Sequence, residues 1–303
     1  MSNVLFDAPG PRALLRHKFI GVFTLLLVAG ILTFIVYRFI ETGQFSAAKW
    51  ELFTFPLVHA AIFDALLATL KAFGLAAILS LVLGLILLVG RVSKHKWINV
   101  PTYLFIELFR AIPLLILMMI MYYGLPPLGV TFVTPFVAVV TGLTLYNGSV
   151  LAEVFRAGIE SLPKGQAEAA YAIGMRKTQV MRMILLPQAL RAMAPVIVSQ
   201  LVVVLKDTAL GFIVTYQELL FLAKFYGSQA RYDSPIIPAA IIVATIYIAL
   251  CLLLAGFAKF IEVRTKRIGP RAGKRIKLDG EPPVDPYLAD PRALGAQSRT
   301  QGA

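Results

Sequence analysis

Leu70-Lys-Ala-Phe-Gly-Leu-Ala-Ala-Ile-Leu-Ser-Leu-Val-Leu-Gly-Leu-Ile-Leu-Leu-Val-Gly90 carries a single charge at its second position and is otherwise almost wholly apolar. That is the roughly 20 residues a helix needs to cross a hydrocarbon core. The basic turn that follows, with Arg91, Lys94 and Lys96, suits the water-facing end of such a span. Outward from it, similar runs cover residues 18–40, 97–123, 132–155 and 236–260, and another begins at Ala189 and continues to Tyr226 without a clean boundary. The pattern predicts an all-α integral membrane protein with about six transmembrane helices.

Composition agrees, because 58% of the 303 residues are apolar and only 15% are charged, with a mean hydropathy of +0.79. Cys251 stands alone inside an apolar run and the three His have no ligand spacing, so disulfide and metal chemistry are not expected. The net charge of +13 raises the question of nucleic acid, which its distribution answers. Three basic residues precede Phe19, three lie in 91–96, six in 156–191 and ten from Lys259 onward. If the stretch 156–188 is cytoplasmic, the positive-inside rule places both termini there too, and no nucleic acid is needed.

The expected organisation is a cytoplasmic N-terminus at 1–17, an additional anchor at 18–40, an external interfacial segment at 41–69, a core at 70–262 with a cytoplasmic loop at 157–188, and a basic tail at 263–303. Trp50, Phe53 and Phe55 fit the interfacial segment. The tail has no apolar periodicity and is expected to be disordered. The anchor is too long for a signal peptide, whose apolar region runs about 7 to 15 residues, so it reads as uncleaved.

The loop between the fourth and fifth spans reads Glu160-Ser-Leu-Pro-Lys-Gly-Gln-Ala-Glu-Ala-Ala-Tyr-Ala-Ile-Gly174. Ser161 and Pro163 predict a helix start, and Gly174 its left-handed end. Thr178 predicts the cap of a second short helix that closes near Pro187, giving a helical hairpin. Periodicity alone allows a bland amphipathic loop that only covers the bundle.

Glu168-Ala169-Ala170, then Gly174, then Ile184-Leu185-Leu186-Pro187 resembles the "EAA" loop of permease subunits of bacterial ATP-binding-cassette importers. Glu153-Val-Phe-Arg156-Ala-Gly-Ile159, Lys164-Gly-Gln166, Glu107-Leu-Phe-Arg110-Ala-Ile-Pro113-Leu-Leu115 and Lys206-Asp-Thr208-Ala-Leu210 resemble the polar amino acid uptake branch, although Ala209 stands where Ser is usual. The likeness covers roughly residues 70–260. It implies a five-helix permease core with the anchor as an extra span, in the cell inner membrane. It further implies a coupling helix docked on a separate ATPase dimer through Gly165, Glu168, Ala169, Ala170, Gly174, Ile184 and Pro187. A second permease subunit, itself or a sister chain, and an external substrate-binding protein complete the implied assembly. Glutamate is the first substrate implied, with glutamine, aspartate or basic amino acids behind it.

The chain has no phosphate-binding loop; Gly269-Pro-Arg-Ala-Gly273-Lys274-Arg275 lacks the spacing and the Ser or Thr that holds magnesium. ATP and magnesium are therefore expected on the partner, and this chain is not expected to be an enzyme or to bind a cofactor. Charges within spans suggest function by their cost, which singles out Glu107, Arg110, Glu153, Lys206 and Asp207, with Thr208 beside them, as a substrate path or gate. The alternative is self-neutralisation, since Glu107 and Arg110, like Glu153 and Arg156, are three apart on one helix face. Asn147-Gly-Ser149 matches a glycosylation sequon but lies within a span, where an interhelical hydrogen bond suits Asn147 better.

Two other functions compete for the same residues. An ion-coupled secondary transporter would be expected to show related halves with matched broken helices, which the sequence lacks. An intramembrane enzyme would need a nucleophile beside its base, and Ser80, Ser149 and Ser199 have no His near them in sequence.

Overall fold

Proline opens both of the first long helices, at the position where its missing N–H costs nothing. This computed structural model describes residues 10–268. The chain divides into two units, Met1–Glu262 and Val263–Ala303; the described part of the second, 263–268, is helical, and the rest of the tail lies outside the described residues, as does 1–9. Among the described residues all regular structure is helical.

Helix α1 covers Pro11–Glu41, α2 Ala47–Glu51, α3 Pro56–Arg91, α4 Lys96–Ala111, α5 Leu114–Met119 and α6 Pro135–Glu160. Then come α7 Lys164–Ala172, α8 Lys177–Gln179, α9 Leu186–Asp207, α10 Leu219–Gly227 and α11 Ile236–Ile268. Five helical runs are long and apolar enough to span a membrane, and a bent pair formed by α4 and Leu114–Gly124 brings the number to as many as six. The all-α multi-span expectation is met. Helix α1 covers the stretch expected to be an additional anchor, and its most apolar part buries nothing within the molecule.

Two boundaries differ from the sequence reading. Residues 56–69, expected in the interfacial segment, are the first four turns of α3, because nothing between Pro56 and Arg91 breaks a helix and His59 and Asp64 are tolerated on it. The single span expected at 97–123 is bent by 98° between α4 and α5. Pro113 has no N–H to give and forces Ile112 into extended geometry, with ψ 124°, so the helix cannot pass through.

Helices α3 and α6 form the centre of the bundle. The buried face of α3 includes Ala65, Thr69, Ala72, Ala76, Ser80 and Gly84 at intervals of three and four, a stripe small enough to bring α6 close. At the tightest point, a Cβ on Gly84 would sit 2.9 Å from the Leu151 Cβ and 3.2 Å from the Gly148 carbonyl oxygen. Within this core Asn147 donates to the Leu143 carbonyl at 3.0 Å and accepts from Gln200 of α9 at 2.7 Å. The interhelical role expected for Asn147 is thus what the fold shows.

Candidate functional site

Helix α6 contains 26 residues, about 39 Å at 1.5 Å per residue, and joins two functional ends of the molecule. At its C-terminal end lies the hairpin. Ser161 belongs to the end of α6, donating its hydroxyl to Gly158 at 2.8 Å, so it does not cap the next helix as expected. Pro163 alone precedes α7. Gly174, at φ +83°, closes α7 as read from the sequence: its N–H reaches the Tyr171 carbonyl at 2.9 Å and the Met175 N–H reaches Ala170 at 3.2 Å. These two bonds are the paired closure of a left-handed helix end.

The return arm differs from the second short helix that was expected. Gln179, not Thr178, supplies the capping contact, its side chain accepting the Arg176 N–H at 2.8 Å. The chain does not stop at Pro187 either. A π-helical stretch, Val180–Leu185, in which the Leu186 N–H reaches back five residues to Met181, leads into α9. Pro187 falls in the first turn of α9, so the wider turn absorbs the bond that proline cannot make. Ala170 and Val180 are buried where α7 meets this stretch, whereas Gly165, Glu168, Ala169 and Gly174 are exposed. Ile184 and Pro187 are half-buried. Tyr171 and Ile173, the latter 78% exposed, extend the outward face with apolar side chains that the sequence reading did not single out.

Beside the hairpin, Glu153 accepts from Arg156 at 2.7 Å and from Arg91 of α3 at 3.3 Å, and Arg156 also holds Glu160 at 2.5 Å. Lys177 of the return arm donates to the Val92 carbonyl at 2.9 Å. Glu153 thereby joins α3 to α6, and Lys177 separately ties the return arm to the end of α3. Glu107 and Arg110 pair with each other at 3.2 Å, and among the described residues no hydrogen bond or ion pair links them to Glu153 or to residues 206–208.

Lys206 is exposed and Asp207 half-buried, while Thr208 is fully buried and donates to the Leu205 carbonyl at 2.6 Å. Thr208 leads to a group missed in the sequence. Its hydroxyl lies 3.4 Å from that of Tyr247, which donates at 2.8 Å to Glu218. Glu218, in the connection between the last two spans, is fully buried and caps α10, accepting the Leu220 and Phe221 N–H groups at 2.7 Å each. An acidic residue directly before the apolar run Leu219–Leu222 was the available signal.

Burial pushes the Glu218 carboxyl from its ordinary 4.5 up to about 7, against the pull of these three donors. The folded chain therefore holds this proton more tightly than the unfolded chain. Its stabilisation is full below about 4.5 and is lost as pH rises through about 7. The melting temperature of the detergent-solubilised chain is expected to fall across that window, and Glu218→Gln to flatten the slope; an unchanged slope in the variant contradicts the assignment.

At the other end of α6, a cavity of about 610 Å³ is lined by Asp64 and Lys71 of α3, by Thr134 and Phe136, and by Tyr216 and Gln217. The Lys71 ammonium stands 5.0 Å over the Phe136 ring. Asp64 and Lys71 are seven apart, two turns along one helix face, which puts one anion and one cation at a single opening.

An all-helical multi-span protein with a rigid hairpin at one end and a charged opening at the other has the form of a membrane transport permease. The chain belongs to the family of binding-protein-dependent transport system inner membrane components, whose model matches residues 80–267. It is 42% identical over 244 residues to the glutamate transport system permease protein GluD of Corynebacterium glutamicum, covering 77% of this chain and 85% of that one. It is 34% identical over 203 residues to the probable glutamine ABC transporter permease protein GlnP of Bacillus subtilis, covering 67% and 93%. A crystal structure of an amino acid ABC transporter with histidines matches with a TM-score of 0.62 at 30% identity, covering 68% of this chain and 94% of that one.

Proposed function

We propose that this chain is one membrane subunit of an ATP-driven importer of polar amino acids, with glutamate the first candidate, and that the hairpin carries the driving motion. The supporting observation is the hairpin's construction. Its outward face carries Gly165, Glu168, Ala169 and Gly174, small or charged residues a partner can approach closely, while Ala170 and Val180 lock it from within. A separate ATPase dimer, holding ATP and magnesium, docks on that face and shifts it when nucleotide closes the dimer. The hairpin side, with both termini, faces the cytoplasm.

The opening lined by Asp64 and Lys71 faces the external substrate-binding protein. A zwitterion needs a cation for its carboxylate and an anion for its ammonium, and these two residues supply both. A second permease, a copy or a sister chain, completes the path.

The test is uptake of labelled glutamate by a strain lacking the gene, with the chain or its Lys71→Glu variant restored. The chain is expected to restore uptake that depends on ATP and is competed by unlabelled glutamate, and the variant to restore several-fold less. Restored uptake that survives ATP depletion and follows an ion gradient contradicts the ATP-driven reading.

A further inference from the structure

We propose that a second cavity, of about 410 Å³ between the end of α3 and the return arm of the hairpin, holds the phosphate headgroup of an anionic phospholipid. Three cationic residues from two separate segments are among those that line it: Lys94 from the turn after α3, and Lys177 and Arg182 from the return arm. No carboxylate lines it, and among the described residues none lies within ion-pair distance of these three. The neighbouring Arg91 is different, because Glu153 already neutralises it. Ser93 and Thr178 add hydroxyls able to donate to a phosphate oxygen.

The walls decide which phosphate. Val89, Val92 and Met181 line the same cavity, and Val89 is 70% exposed on the outer surface of α3, so an apolar track leads from the cations along the span. Trp97, 93% exposed at the start of α4, suits the headgroup level of a bilayer at this height. A free phosphate has no use for an apolar wall. A phospholipid uses both, its headgroup among the cations and an acyl chain along Val89 and Val92.

The ligand would bridge two elements the hairpin depends on. Lys177 already ties the return arm to the Val92 carbonyl at the end of α3, and a shared phosphate adds Lys94 and Arg182 to that link. Anionic lipid would thus brace the base of the hairpin.

The full-length chain, purified in zwitterionic detergent with equal phosphatidylglycerol and phosphatidylcholine, is expected to retain phosphatidylglycerol preferentially through gel filtration, read by lipid extraction and mass spectrometry. Lys94→Glu with Arg182→Glu is expected to cut that retention by roughly tenfold or more, since each basic residue near a membrane contributes appreciably to anionic lipid attraction. Among the described residues neither side chain makes a hydrogen bond or ion pair, and the neutral pair Lys94→Gln with Arg182→Gln, expected to lose several-fold, keeps the test decisive if the first pair misfolds. Lys259→Glu, outside the cavity at the end of the last span, is expected to lose only the general attraction of a single basic residue and to fall well short of the cavity pair. Equal retention of both lipids, equal loss in Lys259→Glu, or displacement of the lipid by inorganic phosphate overturns the proposal.

Discussion

Gly174→Val is expected to lower ATP-driven uptake by roughly tenfold or more, while Gly174→Asn retains most of it. The space around Gly174 is open, and a Cβ there would meet nothing within 4 Å. The cost is therefore in the backbone. At φ +83° a residue with a Cβ pays about 1–2 kcal/mol, a β-branched one more, whereas Asn visits this region readily. Each 1.4 kcal/mol taken from the closed turn lowers its equilibrium constant about tenfold, and the population able to dock falls in proportion once the open form dominates. Uptake measured at matched membrane levels checks this. Wild-type uptake with Val would show that the turn need not hold, and equal losses with Val and Asn would assign the effect to the exposed surface instead.

The membrane architecture was legible because its signal is uniform: a run such as 70–90 has few alternatives to a span. Gly174 was legible for a similar reason, since few residues end a helix left-handed. The Glu153–Arg156 pair was also foreseeable from a spacing of three, though its third partner, Arg91, is 62 residues away and no local pattern points to it. What failed were boundaries set by proline. Pro113 breaks a span that hydropathy reads as continuous, whereas Pro187 fails to end a helix because a π-helical turn accommodates it. Ser161 and Thr178 are good capping residues in isolation, but the actual caps depend on where the preceding helix stops.

The candidate residues that the sequence did not single out have a common character. Glu218 falls within the run from Ala189 to Tyr226 that has no clean boundary in sequence, and its burial rests on Tyr247 of another span. Asp64 and Lys71 form one opening only because α3 begins at Pro56 and carries both on the same helix, with Phe136 of α6 across from them. Hydropathy windows average such residues away, and the spacing of seven acquires meaning only once the helix is known to be continuous.

The account depends on stiffness between the hairpin and the spans. Only residues 161–163 separate α6 from α7, and the return arm continues as a 38-residue helical run, Lys177–Val214. Above the hairpin, α6 and α9 are in close contact, since a Cβ on Gly158 would collide with the Met193 side chain and lie 3.6 Å from the Ala189 carbonyl oxygen. On the proposed coupling, displacement at the tip would pass to both of these packed helices.

The most direct measurement replaces residues 164–174 with a glycine-serine segment of equal length in the reconstituted importer, and reads amino acid accumulated per ATP hydrolysed. A flexible segment cannot transmit displacement, so accumulation is expected to fall to the level of protein-free vesicles. Accumulation per ATP equal to that of the unaltered importer would contradict the claim that the hairpin's rigidity drives transport.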